Sequence, residues 1–299
     1  MKEFLTIDKQ IELLKSRNLT IADEQAAHEK LSALNYYRLS GYSLTLRKNN
    51  RFYTGATFDD IMDIYNCDHD MRALLWKELA SLEISLRTHI GYIVGRDDPR
   101  GLIHPETFRD MDAFDKFQSD LKTGISNNSS EYFVKHHIEK YNGAMPSWVI
   151  VELLSFGDLS SLYSGLNKEI KQKLVSEYYE GCRFDYLENW LEGIVVLRNF
   201  CAHHKRLYNR GFPITPRITE QEYDNYIKLG YQRQEIGKRL FFRIVIICRL
   251  LNTIKDQSSF LDELDAIFKK YPSVQIKRYA FPQNWRDIIE EINTNYFTE

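Results

Sequence analysis

One apolar stripe constrains this chain more than any other feature. Leu75, Leu79, Leu82, Leu86, Ile90 and Ile93 recur at three- and four-residue intervals within residues 68–94. A period near 3.6 puts all six on one helical face, whereas a strand would scatter them over both faces of a sheet. The same spacing returns elsewhere. Thr6-Ile7-Asp8 opens a first helix with Ile7, Ile11 and Leu14 in register. Thr57 is placed to cap a short helix carrying Phe58, Ile61 and Ile64, ahead of the long one. Leu187, Leu191, Ile194 and Leu197 mark a helix over 184–201, and others are expected over 232–255, 260–269 and 284–293. Asp97-Asp98-Pro99-Arg100-Gly101, the polar stretch 124–130 and the loop 211–216 interrupt the pattern, and Pro146-Ser147-Trp148 restarts it. Residues 274–276 are the one candidate strand, and nothing suggests a sheet. The expected fold class is all-α. One helical domain spans 1–299, with an N-terminal helical extension over 1–57, a core over 58–270 and a C-terminal helix within 271–299.

Several functional classes fall away. The most apolar segment, residues 240–251, is interrupted by Arg243 and Arg249 and is too short to span a bilayer, so a buried helix is expected. Residues 1–18 contain Asp8 and Glu12 and lack the apolar centre of a signal peptide. Cys67, Cys182, Cys201 and Cys248 are far apart with no CxxC pair, which fits neither a disulfide framework nor a zinc site and points to a reducing cytoplasm. His136-His137 lies near Glu131 and Glu139 without a third ligand at zinc spacing, and His69 belongs with a helix start between Asp68 and Asp70. There is no Gly-rich phosphate loop and no Ser-His-Asp layout. No metal and no cofactor are expected.

Charge is uneven. The net charge of −2 argues against a protein that coats nucleic acid indiscriminately. Residues 193–255 nevertheless hold twelve Lys/Arg against four acids, and residues 30–58 hold Lys30, Arg38, Arg47, Lys48 and Arg51 with no acid. Solvated helix faces are the ordinary reading of such runs. The larger run also contains the one catalytic motif, which favours a phosphate-binding surface. Most of the 19 Tyr and 17 Phe serve packing. Tyr36-Tyr37-Arg38 reads equally as packing with a surface cation or as a platform for stacked bases.

The chemistry is concentrated in Arg198-Asn199-Phe200-Cys201-Ala202-His203-His204-Lys205-Arg206-Leu207-Tyr208-Asn209-Arg210. Two imidazoles, four strong cations and two amides stand there with no carboxylate. Cleaving RNA requires a group that deprotonates the 2′-hydroxyl or protonates the departing 5′-oxygen. Histidine titrates near neutrality and suits that task. It also requires fixed positive charge at the phosphorane-like transition state, which arginine supplies. Asn199 and His203 are four apart and share a helical face, so the amide can orient the imidazole. Arg198 and His203 are five apart, roughly 140° around a helix, so their heads meet only if the arginine folds across or the helix loosens near Ala202. Taken alone, the spacing is weak evidence and more often marks a pair of residues that cap or cross-link helices.

The order Arg198-Asn199-x-x-x-His203 resembles the arginine, polar residue, then histidine signature of HEPN ribonucleases. The wider context is similar to the Abi family of abortive-infection proteins, in its AbiD/AbiF-like group. Supporting blocks are Leu34-Asn35-Tyr36-Tyr37-Arg38-Leu39-Ser40-Gly41-Tyr42, then Tyr65, Asp70, Arg72, Glu83 and Arg87 within 58–87. Pro146-Ser147-Trp148 with Glu152, Ser155-Phe156-Gly157 and the 198–210 block follow, so the likeness spans residues 5–270. The resemblance implies a HEPN-like helical bundle that pairs two Arg/His motifs, usually across a homodimer, into a metal-independent endoribonuclease leaving a 2′,3′-cyclic phosphate. It implies a toxin of phage defence, restrained by a structured non-coding RNA, with RNA and not DNA or membrane as partner. Arg198, Asn199, His203 and His204 are then the catalytic candidates. The family spacing favours His203 over His204. Lys205, Arg206, Tyr208, Asn209, Arg210, Arg38, Arg47, Lys48, Lys238 and Arg239 are candidate RNA contacts, on basic segments around 38–51 and 228–249. A non-catalytic RNA-binding module and a dimeric regulatory scaffold are the competing readings.

Overall fold

The computed structural model describes residues 3–254 and 259–296; Lys255, the expected end of the 232–255 helix, lies outside them. In chain order the helices begin with α1 (Ile7–Ser16), α2 (Glu24–Ala33), α3 (Tyr36–Tyr42), α4 (Phe58–Gly95), α5 (Met111–Asn127), α6 (Tyr132–Tyr141) and α7 (Ser147–Ile150). They continue with α8 (Phe156–Gly165), α9 (Lys168–Tyr178), α10 (Phe184–Ala202), α11 (Glu220–Lys228), α12 (Leu240–Thr253), α13 (Phe260–Lys270) and α14 (Trp285–Tyr296). The fold is all-α, as the periodicity requires. Among the described residues the only sheet is a hairpin of β1 (Arg47–Lys48) and β2 (Arg51–Phe52). No described helix is long and apolar enough to cross a membrane.

The contacts divide into two compact units. The first comprises the described parts of Met1–Leu75, Phe200–Gly211 and Ser259–Gln283; the second comprises Trp76–Asn199, Phe212–Ser258 and Asn284–Glu299. In the first unit the Thr6 side chain accepts from Lys9 N and starts α1, which packs on α2. Thr57 starts α4 through a capping box: its hydroxyl accepts from Asp60 N at 3.0 Å, and the Asp60 carboxylate accepts from Thr57 N at 2.7 Å. The short and long helices expected after Thr57 are one helix of 38 residues. Cys67 and Asp68 are fully buried, so no solvated turn can form between them. The Asp68 carboxylate binds other groups instead of capping a new start. Asn49 and Asn50 both take positive φ, 51° and 62°, which a two-residue type I′ turn demands, and they close a hairpin where no sheet is expected. Residues 274–276 form no strand, and a 3₁₀ turn at Ile276–Tyr279 takes their place.

In the second unit α5 runs through Gly124, where a break was expected. A Cβ there would stand 2.6 Å from Leu153 O, so the glycine serves close packing and not a turn. α11 is an added helix, opened by a capping box between Thr219 and Glu222. α12 starts at Leu240 instead of 232 because Gly237 takes φ 80°. Arg243 and Arg249 are both buried, which removes them from any nucleic-acid surface. Arg243 donates to Gly237 O and Ile214 O and lies 4.3 Å from the Phe212 ring centre, and burial pushes it down to about 9. Arg249 pairs with Glu222 and donates to Asn293 Oδ1 at 3.2 Å, joining α11 and α14 to α12.

His89 also lies inside this unit, stacked on Tyr178 at 4.0 Å and 3.2 Å from the Tyr179 hydroxyl. Burial pushes its imidazole from the ordinary 6.5 down to about 4. The unfolded chain therefore takes up this proton first, so stability is retained above pH 6.5 and lost as pH falls toward 4. After discounting for partial exposure we expect a loss of about 1–3 kcal/mol across that window. Thermal melts between pH 6.5 and 4.5 should show the decline, and His89→Gln should flatten it.

Candidate active site

The motif sits where α10 stops. His204 N donates to Cys201 O at 3.1 Å and Lys205 N to Phe200 O at 2.8 Å, the paired bonds of a Schellman cap. His203 is thus the C-cap, and His204 follows in the left-handed conformation at φ 51°, a position that glycine usually takes. α10 ends at Ala202. Both histidines are exposed, and among the described residues neither imidazole has a hydrogen-bond partner.

The turn is pinned from within the first unit. Arg38 donates to His204 O at 2.8 Å, and Arg72 Nη1 lies 3.5 Å from Lys205 O. The fully buried Asp68 carboxylate then accepts from Leu207 N at 3.0 Å and from Tyr208 N at 2.7 Å. It also takes bonds from the Tyr42 and Tyr279 hydroxyls, at 2.9 and 3.0 Å, and pairs with Arg72. Burial pushes this carboxyl upward, while Arg72, the Leu207 N–H and the two tyrosines oppose the rise. Asn209, at φ 49°, turns the chain again. Lys205 and Arg210 both lie over the Phe200 ring, at 5.0 and 4.6 Å, which orders two of the expected backbone-guiding cations beside the helix end. Arg206 is half-buried, its Nη1 has no hydrogen-bond partner among the described residues, and burial lowers it.

Tyr208 corrects an expectation. It is 1% exposed, its ring meets Tyr279 edge-on at 5.2 Å and its hydroxyl lies 3.2 Å from Thr45 Oγ1. It is a core residue and has no face to offer a base. Tyr37 is 85% exposed, whereas the Tyr36 hydroxyl accepts from Arg17 at 3.2 Å. Arg47 is half-buried against Ser40 O, and Lys48 stands exposed beside the hairpin turn.

Arg198 and Asn199 end the second unit's part of α10. Arg198 Nη2 lies 3.3 Å from Glu83 Oε2, its guanidinium covers the Trp76 ring at 5.4 Å, and Nη1 donates to Asn199 Oδ1 at 3.4 Å. The Asn199 amide is therefore turned to the arginine in place of its expected role beside an imidazole. Glu83 also binds Arg87 at 3.2 Å, and Arg87 is fixed by Val151 O at 3.0 Å and Leu154 O at 2.9 Å. The family pattern includes Glu83 and Arg87 but assigns them no task. The i,i+4 spacing of Glu83 and Arg87 was the available signal. Lys238 and Arg239 belong to the second unit, in the turn before α12, where Lys238 is exposed and Arg239 half-buried. His136 and His137 pack against Tyr132 and Tyr141.

A family model described as Abi-like protein fits residues 29–209, more than half of the chain. No curated protein and no solved structure matches.

Proposed function

The chain belongs to the family of Abi-like proteins, and from that premise we propose that it is a metal-independent endoribonuclease of the HEPN type, in the AbiD/AbiF-like group. It acts in the cytoplasm as a toxin in phage defence by abortive infection. The observation that carries this reading is the exposed His203–His204 turn, held by Arg38 and Asp68, at the end of the helix that bears Arg198. His203 takes the 2′-hydroxyl proton as O2′ bonds to phosphorus, or delivers a proton to O5′ as the P–O5′ bond breaks. Arg198 stabilises the charge on the phosphorane, and a 2′,3′-cyclic phosphate remains. Lys205, Arg206 and Arg210, with Arg38, Arg47 and Lys48 of the same unit, hold the RNA backbone. The same surface suits a structured non-coding RNA that restrains the toxin.

The exposed face of α4 supports a homodimer as part of this reading. Trp76, Ala80 and Ile84 follow one another at four-residue steps within about 80° of the helix circumference, with Trp76 and Ile84 exposed by 47 and 61%. A second copy seated there would stand beside Arg198, which covers Trp76. Light scattering should find a dimer for the wild type, and Ile84→Glu should shift it to monomer by at least tenfold in dissociation constant, since one buried aliphatic side chain contributes about 1.5–3 kcal/mol.

One observation favours a second reading, an RNA-binding protein that does not cut: Arg198 is already paired with Glu83. Incubating the purified chain with end-labelled RNA, beside an Arg198→Ala/His203→Ala variant, decides. Cleavage by the wild type alone supports the ribonuclease. Salt-dependent binding without cleavage by either supports the second reading, and equal cleavage by both overturns the assigned site.

A further inference from the structure

The proposed reaction leaves an aromatic cluster on the second unit unused. α6 carries Tyr132, His136, His137 and Tyr141 with their rings in mutual contact. Tyr132 stacks on His136 at 6.0 Å, His136 meets Tyr141 edge-on at 5.5 Å, and His137 leans on Tyr141 at 5.5 Å and 42°. Tyr132 is 82% and Tyr141 48% exposed, so this cluster faces solvent. The helix ends in two left-handed residues, Asn142 and Gly143, at φ 53° and 79°. Gly143 N donates to His137 O and Ala144 N to Tyr141 O, both at 3.0 Å, which brings residues 144–146 back against α6. Ser147 N donates to Pro99 O at 2.6 Å and ties in the loop that carries Arg100. A cavity of about 300 Å³ results, lined by Arg100, His137, Tyr141, Ala144, Met145 and Pro146.

Its chemistry is specific. Ala144, Met145 and Pro146 give it apolar surface and Tyr141 a flat wall. His137 Nδ1 lies 2.7 Å from Phe133 O, and a carbonyl can only accept, so the neutral ring carries its proton on Nδ1 and leaves Nε2 as an acceptor. Asp98, in the loop of Arg100, is turned to His104 Nε2 at 2.9 Å and to the Arg100 backbone N–H at 2.8 Å. Lys140 lies 5.4 Å over the Tyr141 ring, adding positive charge beside the aromatic face. Aromatic walls with arginine and lysine beside them are the means by which proteins hold stacked bases and their phosphates. A volume at the small end of ligand pockets admits one such unit and no more.

We propose that this cavity binds one nucleotide, its base stacked on Tyr141 with an edge N–H given to His137 Nε2 and its phosphate held by Arg100. The nucleotide is either free or one residue of an RNA strand, and the inference stands apart from the ribonuclease reading. Calorimetric titration of the full chain with AMP, UMP, inorganic phosphate and a non-cleavable 2′-O-methyl RNA decamer separates the sources. A mononucleotide is expected to bind one-to-one and more tightly than phosphate, and Tyr141→Ala or Arg100→Ala should each weaken it about tenfold. Both residues are exposed, and wild-type melting of the variants confirms their fold. If only the decamer binds and both substitutions weaken it, the site reads a strand. Arg198→Ala/His203→Ala should leave nucleotide binding by this cavity unchanged even where cleavage is lost. The proposal is overturned if neither the mononucleotides nor the decamer bind, if phosphate binds as tightly as nucleotide, or if both substitutions leave binding unchanged.

Discussion

His203→Ala is expected to lower RNA cleavage by at least a hundredfold and to abolish growth arrest on expression, with Arg198→Ala causing a loss of the same order. A positioned general acid or base contributes roughly 10²–10⁴ in rate, and removing one preorganised charge donor from a developing oxyanion costs roughly 10²–10³. The two losses should not multiply, because in the proposed reaction both groups act on one transition state. His204→Gly provides the control that alanine cannot. His204 sits in the left-handed position of the Schellman cap, where glycine carries no Cβ penalty, so the substitution should be neutral or stabilise by up to about 1 kcal/mol. If His203 performs the chemistry, His204→Gly keeps activity within a few-fold while His203→Ala does not. Activity lost in His204→Gly and kept in His203→Ala would transfer the catalytic role to His204.

The sequence carried the long elements and the motif because both are local. The stripe from Leu75 to Ile93 and the run from Leu187 to Leu197 each repeat often enough to give a helix from spacing alone, and the helices are there. Thr57 was legible as a cap because its partner, Asp60, is three residues away. The hairpin escaped because its two strands have two residues each, too few to display a period of two, although Asn49-Asn50 is a turn signature. α11 escaped for a different reason. Its Thr219-x-x-Glu222 box was present but stood among charged residues with little apolar periodicity. Asp68 was the hardest to read. A carboxylate between Asn66-Cys67 and His69-Asp70 looks like a helix start, and its real partners are Tyr42, Arg72, Leu207, Tyr208 and Tyr279. Four of those five lie 26 or more residues away, and no local pattern encodes them. Tyr208 was misread for the same cause: Lys205, Arg206 and Arg210 stand within three residues of it in sequence, but its neighbours in space are Thr45 and Tyr279.

Asp68→Ala should be the most destabilising single substitution in the first unit. The carboxylate is fully buried and accepts from two backbone N–H groups, two tyrosine hydroxyls and a guanidinium. Alanine would leave Arg72, itself 4% exposed, as a buried charge facing four unpaired donors. Breaking a buried pair by removing one partner costs roughly 3–5 kcal/mol, and the orphaned hydrogen-bond donors oppose any relaxation that would recover it. For a chain of this size that corresponds to a fall in melting temperature of roughly 10 °C. Tyr279→Phe removes one donor and keeps the ring, so it should cost only about 1 kcal/mol. The difference matters for function, because Asp68 holds Leu207 and Tyr208 just beyond the two histidines. Asp68→Ala should therefore lose RNA cleavage at temperatures where circular dichroism still reports a folded chain, while Tyr279→Phe keeps it. An Asp68→Ala protein within 1 kcal/mol of wild type in chemical denaturation would mean that this carboxylate is not the anchor of the His203–His204 turn.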